Sequence, residues 1–209
     1  RINIRILFVV LPFALSPAVL YPPGAFADTA PASRVDEFSD RALTEWIVLG
    51  ETLPASPATL GRMVTDLVSS VRLAREVTGL DYKLSPADSG EFELSTPRGL
   101  TCRVRPSIVA PGPASGLFEA VGYGEFRRAG GVFRGLYAMR FRYERRPGTS
   151  TRGDFYIYLD VQNRFLHFVA YLARGLIKAR MAHEMSRMLG EAKSVMSAAE
   201  TRLAQGRNF

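Results

Sequence analysis

The chain has few of the residues that build metal sites, disulfides and common catalytic centres. It contains one cysteine, Cys102, which excludes an intramolecular disulfide, and two histidines, His167 and His183. His183 and Glu184 match the start of the zinc-binding pattern H-E-x-x-H, but Arg187 stands in place of the second histidine. The G-x-S-x-G motif of serine hydrolases, the P-loop and a three-glycine dinucleotide loop are also absent. We therefore expect no catalytic residues, no metal and no cofactor.

Two residues could still carry chemistry, and a structural role is the favoured interpretation of each. His167 could act as a general base in an exported hydrolase if a nucleophile lay beside it. We rank this hydrolase hypothesis last, because the usual sequence contexts of a nucleophile are missing. The apolar segment around His167 is typical of a core histidine. Cys102 lies in a strand-like segment, and free cysteines are usually buried.

Long apolar runs are scarce, and the clearest one, residues 6–20, lies near the start of the sequence. Arg1 and Arg5 precede it, and the small-x-small pattern Ala25-Phe26-Ala27 follows. This order predicts a secretory signal peptide over residues 1–27 and export to the periplasm or the extracellular space. The run is shorter than the roughly 20 residues that a membrane-spanning helix needs. Cleavage after Ala27 would remove the run, so we expect no spanning helix in the mature protein. A retained anchor is the alternative.

The remaining sequence divides into a flexible lead over residues 28–35 and a single domain over 36–209. Charged side chains are distributed unevenly along it. Residues 28–100 carry 7 basic and 12 acidic side chains, whereas residues 101–209 carry 18 and 8. Almost all the basic residues are arginines, which suit bidentate recognition of anions. A GC-rich genome would also produce this arginine content. For an exported protein, an envelope anion is a better partner than nucleic acid.

The hydrophobic periodicity predicts three helices and a series of strands. Helical spacing predicts an antiparallel pair of helices over residues 36–53 and 57–76 and a long helix over 174–205. Between them the period is two, which predicts strands over 81–84, 91–95, 100–105, 117–127, 132–145, 154–161 and 164–172. Glycines within these strands, Gly122, Gly124 and Gly135, suggest bulges or bends.

These elements predict an α+β fold: an N-terminal helix pair, a curved antiparallel β-meander of about six or seven strands, and a long C-terminal helix packed on the sheet. The order of elements resembles that of helix-grip ligand-binding folds, and the resemblance is one of architecture.

Two surfaces could carry function, and both involve the strand over residues 132–145. Its apolar side, together with methionines of the last helix, forms the candidate apolar interior: Phe133, Tyr137, Met139, Phe141, Met181, Met185 and Met188. Its basic side is the candidate anion face: Arg134, Arg140, Arg142 and Arg146.

The favoured hypothesis is an exported, non-catalytic envelope protein that binds an apolar or amphipathic anionic ligand such as a lipid. The apolar interior would hold the ligand's tail and the arginines its charged head. The alternative is a structural or assembly factor that docks an envelope protein partner through the arginine-rich strand face or the last helix.

Overall fold

A computed structural model describes residues 34–87, 90–95, 100–128, 131–147, 150–161, 171–172 and 174–209. The predicted signal peptide and His167 lie outside these residues. The elements in chain order are α1 (Arg34–Ser39), β1 (Thr44–Leu53), α2 (Pro57–Thr65), α3 (Leu67–Thr78), β2 (Lys83–Pro86), β3 (Phe92–Ser95), β4 (Leu100–Ala110), β5 (Ser115–Arg128), β6 (Gly131–Arg145), β7 (Thr151–Val161) and α4 (Arg174–Ala204).

The strands form one antiparallel sheet in the order β1-β7-β6-β5-β4-β3-β2. Strands β2 to β7 are neighbours in sequence and in space, so they form the predicted meander. Strand β1 completes the sheet by pairing with the free side of β7. The α+β class and the antiparallel arrangement are therefore confirmed, with seven strands in the described part of the chain.

The predicted helix over residues 36–53 is wrong. The chain makes one short helix, α1, and then the edge strand β1, in which Thr44 to Leu53 pair with β7. A bulge between Val48 and Glu51 explains the misleading pattern, because Gly50 there adopts a φ of 72° and shifts the alternation. In a regular strand, residues seven apart face opposite sides of the sheet, but the bulge leaves both Trp46 and Leu53 buried. A spacing of seven between buried residues is also that of two helical turns, so the sequence pattern resembles a helix.

The predicted helix over 57–76 is two helices, α2 and α3. Ser56 caps α2 and Pro57 occupies its first turn, as the sequence indicates. Asp66 ends α2 and caps α3, since its carboxylate accepts a hydrogen bond of 3.0 Å from the backbone N–H of Ser69. Gly79 terminates α3 with a φ of 66°. The pair α2–α3 thus differs from the predicted pair.

The long last helix is confirmed, and its second half is attached to the rest of the domain. Val195, Met196 and Ala199 are buried against α2, α3 and β1. Lys193 pairs with Glu51, and Arg202 lies 2.7 Å from Glu76. The predicted strand over 164–172 lies mostly outside the described residues, and its last two, Tyr171 and Leu172, are helical rather than extended. No helix within the described residues is both long and apolar enough to span a bilayer.

Helices cover both sides of the sheet. We call the side that packs against α2, α3 and α4 the inner face, and the side that contacts α1 the outer face. On the outer face, Val35 and Phe38 of α1 pack against Val121, Ala138 and Tyr158. Val121, Ala138 and Tyr158 are direct partners on neighbouring strands. Because side chains alternate between the two sides of a sheet, these contacts assign the other residues of β5, β6 and β7 to a face.

Candidate functional site

The inner face of β6 carries three residues of the candidate apolar interior. Tyr137, Met139 and Phe141 pack against a buried cluster that contains Cys102, Val104, Phe118 and Ala120. From the other side, Val64 of α2 and Leu67 of α3 contact the same cluster. On α4, Met185 is half-buried and Met188 is exposed. The side chains of Phe133 and Met181 lie outside the described part of the structure.

The inner face is tightly filled at one end and more accessible towards the other. At the filled end Tyr143 is only 2% exposed, in a cluster with Leu53, Ala55, Leu60 and Met196. Further along β6, the side chains of Phe141, Met139 and Tyr137 are half-buried. The inward-facing residues of β7 follow the same gradient, because Gly153 is buried whereas Phe155, Ile157 and Leu159 are half-buried. We call this partly covered apolar strip of β6 and β7 the inner groove.

Two tyrosines of β6 lie across glycines of β5. Tyr137 pairs directly with Gly122, and a Cβ atom added to that glycine would lie 2.7 Å from the Tyr137 ring. Tyr143 covers Gly116 in the same way, with its Cε1 atom 2.8 Å from the position of such a Cβ. Glycine is required here for close approach of an aromatic ring. Gly122, Gly124 and Gly135 form no bulge, since the register between β5 and β6 is unbroken, whereas the alternative of a bend at these glycines stays a prediction.

The titratable groups in the wall of the inner groove are uncharged at neutral pH. Burial raises the pKa of the Cys102 thiol, and burial together with the neighbouring Cys102 raises the pKa of Tyr137. The Tyr137 hydroxyl donates a hydrogen bond of 3.4 Å to the carbonyl oxygen of Arg103. The Tyr143 hydroxyl is buried and has no hydrogen-bond partner among the described residues. The wall of the groove therefore offers apolar contact rather than charge, and the buried Tyr143 hydroxyl lies at the filled end beyond it.

On the outer face, Arg140 forms ion pairs with two carboxylates. Its Nε lies 2.5 Å from an oxygen of Glu119, and its Nη2 lies 2.7 Å from an oxygen of Asp36 on α1. Glu119 is 1% exposed, so this arginine neutralises a charge buried beneath α1. Burial acts against the charged guanidinium, but its hydrogen bonds to Asp36 and Glu119 raise the pKa of Arg140 overall. Sequence reasoning missed Glu119, because it identified no acidic partner for the arginines.

The other candidate anion ligands have different surroundings. Arg142 lines an open cavity of about 420 Å³ together with Ser115, Leu117 and Arg152. Asp154 faces Arg142 across the strands but accepts hydrogen bonds from the Gly50 N–H at 2.7 Å and from Arg152 at 3.4 Å. Among the described residues, Arg142 has no ion-pair partner. Arg146 is exposed just after β6. The side chain of Arg134 lies outside the described part.

Two arginines of the candidate anion face, Arg140 and Arg142, lie on the opposite side of the sheet from the inner groove. Along β6, the odd-numbered Tyr137, Met139 and Phe141 point inward, and the even-numbered Arg140 and Arg142 point outward. A ligand whose tail occupies the inner groove cannot place its head on these arginines, because the sheet stands between them. This geometry changes the binding mode expected from the sequence.

Metal chemistry finds no support in the described residues. No group of three or more His, Cys, Asp or Glu side chains there is placed to hold an ion. His183 is exposed on α4, and Arg187 instead lies between Glu184 and Glu191 at 2.8 and 2.9 Å.

Comparisons with known proteins give no family and a set of distant structural likenesses. No protein-family model and no curated protein matches the chain. Among solved structures, Ara h 8.0201 is 9% identical with a TM-score of 0.49, over 75% of this chain and 97% of that one. The protein TTHA0849 of Thermus thermophilus is 13% identical with a TM-score of 0.37, over 75% and 99%. An uncharacterised protein of Rhizobium leguminosarum is 11% identical with a TM-score of 0.39, over 76% and 95%.

Sequence reasoning missed the part of the inner groove that β7 supplies. Phe155, Ile157 and Leu159 alternate with Asp154, Tyr156, Tyr158 and Asp160, which is the pattern of a strand with one apolar face. That alternation could have assigned the β7 residues to the groove. It could not have shown which of them are only half-covered, since that depends on where α4 lies.

Proposed function

We propose that the protein binds an apolar or amphipathic ligand, such as a lipid acyl chain, in the inner groove, without catalysis. The observation that carries this proposal is the gradient of burial along β6. Tyr143 is fully packed, whereas the next inward-facing side chains, Phe141, Met139 and Tyr137, remain half-buried although they lie on the face covered by helices.

A bound acyl chain would complete the burial that the domain leaves unfinished. Removing apolar surface from water is worth about 25 cal/mol per Å², or about 0.8 kcal/mol for each CH₂ group. Met139 on the sheet and Met185 on α4 have flexible side chains that can adapt to a chain of irregular shape. The neutral Cys102 and Tyr137 add no charge to oppose an apolar ligand.

The charged head of such a ligand would lie at the accessible end of the groove rather than on the arginines of the outer face. Tyr143 and Leu53 close the other end. A chain that enters from the accessible end therefore leaves its head near solvent, and this orientation replaces the one suggested by the sequence.

We also propose that the protein acts outside the cytoplasm, in the bacterial envelope or beyond it. The basic start, the apolar run over residues 6–20 and the motif Ala25-Phe26-Ala27 support export. Lipids are abundant apolar ligands in an envelope, so the compartment and the groove suggest the same class of ligand.

Native mass spectrometry with lipid extraction of the purified protein tests the proposal. We expect a co-purifying lipid at a ratio of one per chain. Ile157→Phe, which fills the groove, should reduce its occupancy, and Arg142→Gln on the outer face serves as the matched control. The absence of any bound lipid, or equal loss in both variants, would contradict binding in the groove.

A further inference from the structure

The inner face of the sheet holds a buried hydroxyl beside the accessible end of the inner groove. Thr44, the first residue of β1, is 7% exposed, and its Oγ1 atom has no hydrogen-bond partner among the described residues. A buried hydroxyl without a partner has lost its hydrogen bonds to water and gained none in return, which costs free energy. Most buried polar atoms in folded proteins are paired, so this exception calls for an explanation.

Strand register places Thr44 on the same face as the groove. Thr44 pairs directly with Leu159 of β7, and Leu159 pairs in turn with Tyr137 of β6. Trp46, two residues further along β1, pairs with Ile157. The Cβ atoms of directly paired residues lie about 5 Å apart, and strand side chains stand roughly perpendicular to the sheet. The Thr44 side chain therefore adjoins Leu159, at the end of the groove where the side chains are half-buried.

A second hydroxyl of the same kind lies at the filled end of the inner face. The Oγ1 atom of Thr151 is also buried without a partner among the described residues, and Thr151 is 1% exposed. Its direct partner is Leu53, which is packed in the cluster with Tyr143. Thr151 is thus enclosed by packed side chains, whereas Thr44 adjoins the half-buried Leu159. Of these two hydroxyls, the one at position 44 borders the surface that the ligand is proposed to cover.

The surroundings of Thr44 define the chemistry of a group that would pair with it. Its neighbours by register on the inner face are Leu159, Tyr137, Trp46 and Ile157, and none of these carries a charge at neutral pH. An ionised group placed there would lose its hydration and gain no opposite charge. A neutral oxygen, as in an alcohol or an ester carbonyl, costs less to remove from water. It can also bond to a threonine hydroxyl, which both donates and accepts.

We infer that the inner groove selects a ligand with a neutral oxygen group at the end of its apolar chain, and that Thr44 forms a hydrogen bond with this group. The inference rests on the proposed function, because it specifies the ligand of the same groove. A long-chain alcohol and an ester-linked acyl chain share this chemistry. In an ester-linked lipid, the carbonyl lies beside Thr44 and the head lies beyond it, near solvent.

Competition for the groove tests the inference on the full chain after extraction of bound lipid. Trp46 is the single tryptophan, so recovery of its emission from quenching by a brominated fatty acid reports displacement of that probe. The competitors dodecanol, methyl dodecanoate and dodecane have matched chains and differ in the oxygen group. Thr44→Val removes the hydroxyl and keeps the shape of the side chain. We expect it to weaken binding of the alcohol, the ester or both by roughly fivefold, as for one lost hydrogen bond, and to leave dodecane binding unchanged.

Thr151→Val is the matched control, because it removes a buried hydroxyl of the same kind at the filled end. It should bind all three competitors as the wild type does. Both variants should be at least as stable as the wild type in urea, since each loses an unpaired polar atom from the protein interior. The affinity of the brominated fatty acid is measured in each protein, so that a change in the probe's own binding is corrected for.

The outcomes separate this inference from the proposed function. Saturable quenching with no loss of alcohol or ester binding in Thr44→Val, or with an equal loss in Thr151→Val, would overturn the role of Thr44 and leave the groove intact. An equal loss for dodecane would also overturn it, because the substitution would then have changed the shape of the groove rather than a hydrogen bond. Quenching that does not saturate in any of the proteins would contradict the proposed function, and the inference with it.

Discussion

The ring of Tyr137 lies across Gly122, its direct partner on the neighbouring strand, with the Cζ atom 2.7 Å from the position that a Cβ of residue 122 would occupy. The same Cβ would also overlap the carbonyl oxygen of Arg103 on the next strand. The glycine therefore holds three strands in register and sets the position of a tyrosine in the groove wall.

We expect Gly122→Ala to destabilise the domain by about 1–3 kcal/mol, because the added methyl group must displace backbone as well as the Tyr137 ring. Urea unfolding followed by circular dichroism measures the change. Gly190→Ala is the matched control, since a Cβ there meets no atom within 4 Å and should stabilise α4 by about 0.5–1 kcal/mol. A neutral effect of Gly122→Ala would contradict the close approach.

Removing one partner of the buried pair Glu119–Arg140 should be costly. We expect Glu119→Ala to lower the free energy of unfolding by about 3–5 kcal/mol, because it leaves the Arg140 guanidinium without its buried carboxylate. Asp36→Ala should cost less than about 1 kcal/mol, since the Asp36 side chain is largely exposed. Similar losses in the two variants would show that Glu119 is not the principal partner.

A double variant sharpens this prediction. Glu119→Leu with Arg140→Met removes both charges, and we expect it to be more stable than either single variant. A double-mutant cycle from unfolding curves gives the coupling energy between the two residues. Additive effects would contradict a direct buried ion pair.

Acid should weaken the attachment of α4 through Glu200. Burial alone would raise the pKa of Glu200, but hydrogen bonds from Thr59 and Ser56 outweigh it and lower the pKa below its ordinary value of 4.5. A lowered folded-state pKa gives stability that is present above the unfolded-state pKa and is lost as pH falls through the folded-state pKa.

The measurement for Glu200 is the free energy of unfolding at about pH 6 and about pH 3.5, in the wild type and in Glu200→Gln. The wild type should lose more stability on acidification, because glutamine does not titrate. An equal loss in both proteins would mean that Glu200 contributes nothing to the pH dependence.

Alanine substitutions of two methionines in α4 compare how tightly the two halves of this helix are packed. Met196 is buried with Leu60 and Tyr143, so Met196→Ala should cost about 2–5 kcal/mol. Met188 is exposed, and Met188→Ala should change stability by less than about 0.5 kcal/mol. Thermal or urea unfolding checks both values. A large loss at Met188 would indicate that the first half of α4 is packed as tightly as the second.

The elements with regular periodicity could be predicted from the sequence, and the contacts between distant segments could not. The last helix and the strands from β2 to β7 follow their hydrophobic patterns to within a few residues. Strand β1 was missed because the Gly50 bulge moves Leu53 to the face of Trp46, which imitates a helix. Arg140 meets Glu119 across 21 residues because β5 pairs with β6, and it meets Asp36 across 104 residues because α1 packs on the outer face.

The same limit applies to the candidate site. Alternation along β6 correctly separates Tyr137, Met139 and Phe141 from Arg140 and Arg142. It does not reveal that Arg140 forms ion pairs with Glu119 and Asp36, because these partners come from another strand and from α1. Nor does it reveal the gradient of burial, which depends on the attachment of α4 through its second half.

The most direct test of the groove is quenching of Trp46 by a brominated fatty acid. Trp46 is the single tryptophan and pairs with Ile157 on the inner face. We predict saturable quenching at one ligand per chain, weakened in Ile157→Phe and retained in Arg142→Gln. Quenching that never saturates, or that is equal in all three proteins, would contradict a ligand site in the inner groove.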